Sequence, residues 1–126
     1  GCIVSVGPDN VLFGTGGVAP EFMRERSPTA EHLEPGIGTI IAIEGLVELG
    51  MTPSEAIVAA TKHGAMACKA LDDFGTLEVG KLADILMFGA DPLTDISNIR
   101  KLEVVMKEGQ TIDIGSLPTN PVTGSW

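Results

Sequence analysis

A chain of 126 residues, 44% of them hydrophobic, is the length of one domain with a core of its own, since a compact chain of this size buries roughly two-thirds of its unfolded surface. It is about half of the roughly 250 residues that a complete (β/α)₈ barrel requires. Seventeen acidic residues against 8 basic ones leave a formal net charge of −9, which argues against nucleic acid and against an anionic membrane as partners, because both attract a positive surface.

The acidic residues are scattered, so the plain reading of the surplus is solubility. Two cysteines, Cys2 and Cys68, show no disulfide pattern, and inert thiols in a reducing cytoplasm are the default for such a pair. No apolar run approaches the length of a membrane span, and no secretory leader is visible. A cytoplasmic location is therefore expected.

In chain order, Cys2–Val6 (CIVSV) and Asn10–Thr15 (NVLFGT) are rich in β-formers on either side of a Gly-Pro-Asp turn. They read either as two short strands or as one strand entered through a loop. The Gly14–Gly17 stretch suits a backbone turn at a strand end. From Val18 to Gly38, Pro20, Pro28, Pro35 and several charges break any period, and a loop with at most one helical turn is expected.

Thr39–Gly50 reads as a helix with Ile40, Ile43 and Val47 on one stripe. Gly50 stands where a left-handed C-terminal cap belongs, and Gly45 costs roughly 1 kcal/mol against alanine in the middle. Thr52–Leu71 is the strongest helical pattern. Thr52 is the N-cap, Pro53 takes the first helical position and Glu55 completes a capping box. Ala56, Ala60, His63 and Ala67 share one face, small enough for close packing. Only Gly50 and Met51 separate the two helices, which predicts a helical hairpin or corner.

Beyond Leu71 the pattern changes to strands. Ala83–Phe88 is a short apolar run and Gly89–Leu93 is turn chemistry. Leu102–Lys107 and Gln110–Ile114 flank Glu108-Gly109, a two-residue hairpin turn. Leu102, Val104 and Met106 share one side of the first of these strands. Gly115–Trp126 reads as an extended arm that Trp126 anchors. The expected class is α+β, a two-helix unit followed by short β-strands, in a single domain over residues 1–126.

Met51–Ile112, with its capped helix, GTLEVGKLADI, DPL and a strand ending in EGQTI, resembles the C-terminal segment of the metal-dependent amidohydrolase superfamily, in its imidazolonepropionase-like and prolidase-like branch. Upstream, NVLFGTGG resembles the end of that family's eighth barrel strand, where the usual pattern is Gly-Thr-Asp. The resemblance implies a TIM barrel joined to a small β-sandwich built from both ends of the chain. Residues 1–71 would correspond to the barrel-end strand, loop and two helices, 72–114 to sandwich strands and 115–126 to an extended tail.

It also implies metal-dependent hydrolysis of C–N bonds in amides, cyclic amides or peptide-like substrates. In the full-length family, zinc or another divalent metal is held by histidines of early strands, often a lysine, and the final aspartate. This chain has no His-x-His pair, and Gly16 stands where that aspartate belongs. Asp9 precedes the strand and falls at its wrong end. No catalytic residue and no cofactor are therefore expected for this chain alone.

The remaining candidate ligands are few. His63 lies on the small-residue face and is read as a satisfied, partly buried histidine ahead of a metal ligand. His32, beside Glu31 and Glu34, makes a conceivable loop site, with exposed loop residues as the plainer reading. Lys81 lacks the surrounding Gly-x-x-x-x-Gly-Lys-Ser/Thr of a phosphate loop, and Gly14–Pro20 lacks the spacing of a dinucleotide loop. The resemblance makes Lys81 and Asp84 structural, and Gly80 supplies a positive φ for their turn.

Three readings follow. The chain is an amidohydrolase segment, a trimmed or excised piece inactive by itself; or a non-catalytic module that self-associates, a homo-oligomer with a dimer as the prior; or one part of a split enzyme completed by a second amidohydrolase chain, a reading that Gly16 weakens.

Overall fold

The computed structural model of the chain describes residues 2–7 and 37–117. The expected strand over Asn10–Thr15, the Gly14–Gly17 turn, most of the Val18–Gly38 loop and the arm beyond Leu117 lie outside the described residues. The observed elements are α1 (Gly38–Glu48), α2 (Pro53–Ala60), α3 (Lys62–Ala67), β1 (Ile85–Phe88), a 3₁₀ turn (Ile96–Arg100), β2 (Leu102–Lys107), β3 (Gln110–Ile112) and a second 3₁₀ turn (Ile114–Ser116). The class is α+β, as expected.

Helix α1 ends as its glycine dictates. Gly50 has φ +104°, a conformation that only glycine adopts without cost. The Gly50 amide donates to the Val47 carbonyl at 3.0 Å and the Met51 amide to Leu46 at 3.1 Å, which is the paired closure of a Schellman motif. Helix α2 begins one residue after Thr52. The Glu55 amide donates to Thr52 Oγ1 at 3.3 Å, and Glu55 Oε2 accepts from the Thr52 amide at 2.8 Å. Two of the otherwise orphaned donors at the helix start are thus satisfied.

The single helix expected over Thr52–Leu71 is two helices. The chain breaks at Thr61, whose φ/ψ of −113°/−85° is not helical. Two observations account for the break. The Thr61 hydroxyl donates back to the Ile57 carbonyl at 2.8 Å, and the Thr61 amide is shared between Ile57 at 3.0 Å and Val58 at 3.3 Å, a local competition with the helical ladder. Gly75, at φ +98°, then packs directly over the break: a Cβ there would lie 2.5 Å from Ala65 Cβ and 3.2 Å from the Thr61 carbonyl oxygen.

The second helix also stops early. Lys69 takes the left-handed position at φ 57°, and the Ala70 amide returns to Ala65 O at 2.9 Å. The cap falls on lysine, so no glycine marks it in the sequence. The break also shifts the packed face. Ala56, Ala59 and Ala65 are buried, whereas Ala60 is half-buried and Ala67 exposed.

The sheet is antiparallel in the order β1-β2-β3. Leu86 faces Val105, which faces Ile112, and Ile85 faces Met106 and then Thr111. An irregularity between Met87 and Phe88 brings Phe88 opposite Leu102. Glu108 (φ 51°) and Gly109 (φ 80°) are both left-handed, the pattern of a two-residue type I′ turn whose twist matches its strands.

Two strands are shorter than the apolar pattern predicts. β1 starts at Ile85 because Asp84 turns back, its amide donating to Leu82 O at 3.0 Å. β3 ends at Ile112 because Asp113 caps the following turn, accepting from the Gly115 amide at 3.0 Å. The strand expected over Cys2–Val6 is absent from the sheet. The Val6 amide instead donates to the Ala59 carbonyl of α2 at 3.2 Å.

The helical part meets the strand part where α1 packs on the Ile96–Arg100 turn. Arg100 Nε and Nη2 each donate to Glu44 at 2.7 Å, and Ile99 is buried beside them. The core is thin. Among the described residues, Ala56, Ala59, Ala65 and Ile99 are the buried apolar ones, and no large side chain is fully enclosed.

The cap and the glycine contact make separable contributions. Thr52→Ala is expected to cost about 1 kcal/mol. Gly75→Ala is expected to cost more, about 1–3 kcal/mol, because the added methyl meets Ala65 in a backbone conformation that disfavours it. Urea unfolding followed by circular dichroism ranks the two; equal midpoints would remove the close-packing argument.

Candidate functional site

His63 lies in the first turn of α3 and is held by a distant part of the chain. Its Nδ1 lies 2.8 Å from the carbonyl oxygen of Val4, 59 residues away in sequence. A carbonyl only accepts, so Nδ1 carries the proton, and in the neutral ring Nε2 is left as an acceptor. With the Val6-to-Ala59 bond, this contact lays residues 2–7 along the junction of α2 and α3.

That geometry bears on metal binding. A structural or catalytic zinc site takes three or more protein donors. Among the described residues, no group of three or more His, Cys, Asp or Glu side chains is placed to hold an ion. The described residues therefore do not fit a divalent metal. Glu31, His32, Glu34 and Gly16 lie outside the described residues.

The Gly80–Lys81–Asp84 stretch is brought together as two neighbouring ties. Gly80 has φ +95°. Lys81 Nζ donates to the Leu71 carbonyl at 2.6 Å and to Thr76 Oγ1 at 2.6 Å, and lies 3.6 Å from Glu78 Oε2. Its side chain is only 11% exposed. The carbonyl and the hydroxyl take two of the three donors of the ammonium group, and the Glu78 carboxylate adds a longer ion pair. Two of its donors are thereby turned onto the chain itself. The Thr76 hydroxyl, and after it the Lys81 charge, hold the Glu78 carboxyl below its usual range.

Asp84 ties the other side. Its Oδ2 accepts from Lys107 Nζ at 2.6 Å and its Oδ1 from the Glu108 amide at 2.8 Å. The Ala83 carbonyl accepts from the Gly109 amide at 3.1 Å. The carboxylate thus grips the tip of the β2–β3 hairpin, next to the left-handed Glu108. The Lys107 bond first, and the Glu108 amide second, hold Asp84 below its ordinary value. Asp84 raises Lys107 in return.

Two further ties have weaker sequence signals. The Glu44–Arg100 pair has none, since its partners lie 56 positions apart. The Asp91 turn does have one. Asp91 accepts from the Leu93 amide at 2.8 Å and from Thr94 Oγ1 at 3.0 Å, as Asx residues ahead of a turn commonly do.

The order of these parts, with a capped helix, the Lys81 loop, a short strand and the hairpin, identifies the chain. The model of the amidohydrolase family matches residues 1–112. The chain belongs to the amidohydrolase family. Its relatives include the imidazolonepropionase of Haloarcula marismortui, 34% identical over 77 residues that make up 59% of this chain and 18% of the relative. Another, from Alkaliphilus metalliredigens, is 37% identical over 71 residues, 54% of this chain and 17% of the relative.

Among solved structures, molinate hydrolase superposes with a TM-score of 0.74 at 33% identity, over 97% of this chain and 26% of that one. A Xaa-Pro dipeptidase with methionine bound in its active site gives 0.57 at 35% identity, over 60% and 19%. This chain therefore spans less than a fifth of the length of the curated relatives it matches. The imidazolonepropionase-like and prolidase-like character implied by the motifs is the one these relatives carry. The family is generally metal-dependent.

His63→Ala should release residues 2–7. Loss of one net hydrogen bond, about 1 kcal/mol, is expected to speed hydrogen exchange of the Val6 amide severalfold, read by NMR, while the Ala56 amide is unchanged. The Asp84 tie is predicted to depend on pH. A carboxyl lowered in the folded state stabilises fully above its unfolded value, here near 3.8, and that contribution is lost as pH falls through the lowered value. Protection of the Glu108 amide should accordingly fall away below about pH 4. In Asp84→Asn it should be weaker at neutral pH and lack this acid step.

Proposed function

We propose that this chain is the C-terminal portion of a metal-dependent amidohydrolase that hydrolyses C–N bonds in amides, cyclic amides or peptide-like substrates. The observation that carries the reading is the family match over residues 1–112. The names of the relatives agree on the chemistry: an imidazolone, a phenylurea and an Xaa-Pro dipeptide each present a carbonyl carbon bonded to nitrogen. In this reading α1 to α3 follow the last barrel strand and β1 to β3 belong to the sandwich.

The metal donors come from elsewhere. The 126 residues contain two histidines, His32 and His63, and His63 has one ring nitrogen committed to Val4. With Gly16 in the place of the aspartate, the chain alone does not hydrolyse. Activity requires histidines from a longer polypeptide or from a complementing amidohydrolase chain. Cys2 and Cys68 are free and exposed, which suits a reducing cytoplasm. Among the described residues, no helix is long and apolar enough to cross a membrane.

A second reading, a non-catalytic homo-oligomeric module, is favoured by one feature. Edge strand β1 exposes Leu86 at 54% and Met87 at 47%, and bare apolar edges recruit further strands.

The purified chain, incubated with zinc, should show no stoichiometric metal by elemental analysis and no turnover of an Xaa-Pro dipeptide or a phenylurea. Tightly bound zinc with turnover would overturn the proposal. Hydrolysis that appears only on co-expression with a barrel-length amidohydrolase chain would support complementation. A stable dimer in sedimentation, unaffected by that chain, would favour the oligomeric module, and a monomer at high concentration would remove it.

A further inference from the structure

We draw no further inference here: the strongest candidate, the half-bare apolar face and open edge of the three-stranded sheet at Leu86, Met87 and Ile112, carries nothing beyond the readings above because nothing in the structure shows what covers it.

Discussion

The ammonium of Lys81 closes the loop that leads from the helices to the strands, and the position of that loop depends on it. The helical part ends near Leu71 with a carbonyl that no further turn of helix satisfies, and Lys81 reaches back across ten positions to donate to it. The same nitrogen bonds Thr76 within the connecting loop. A buried ammonium is costly unless it is partnered, and here a carbonyl and a hydroxyl accept from it while the Glu78 carboxylate lies 3.6 Å away. The Leu82 amide reinforces the closure by donating to Asp73 at 2.8 Å. The loop is thereby folded onto the helices, and β1 starts from a defined position.

Such ties matter because apolar burial is sparse. Among the described residues, three alanines and Ile99 are the buried apolar ones, and each alanine hides little area. What small residues permit is closeness, seen where Gly75 sits against Ala65 and the Thr61 carbonyl. Directional bonds supply much of the remaining order: Glu44 with Arg100 between helix and turn, Asp84 on the hairpin tip, and His63 on Val4. Leu77 and Val79, at 84% and 107% exposure, stand outside this framework altogether.

The same economy bears on function. Each titratable group singled out in the described part is committed to architecture. Lys81 and Asp84 grip backbone and neighbouring side chains, and His63 grips a carbonyl. Amidohydrolase chemistry needs donor atoms aimed together at a metal, and the described residues do not converge in that way. The chain is similar to hydrolases over about a quarter or less of their length.

Local signals in the sequence were sufficient wherever the structural cause was local. The Thr52–Pro53–Glu55 cap, the Gly50 closure and the Glu108-Gly109 hairpin all follow from residues within a few positions of one another, as does the left-handed Gly80. So does the family, because the order of motifs is itself a sequence property. What the sequence did not reveal came mostly from contacts between distant segments, with local competition at Thr61 and Lys69 beside them. The helix breaks at Thr61 where the Gly75 loop packs against it, the left-handed cap falls on Lys69, and residues 2–7 join His63 and Ala59 instead of a sheet. By itself the sequence determined capped helices, a turn, a hairpin and a family. Tertiary structure decided that the Gly75 loop seats on the break in the second helix and which partners Lys81, Asp84, His63 and Arg100 take, since those energies exist only once segments ten to 59 positions apart have met.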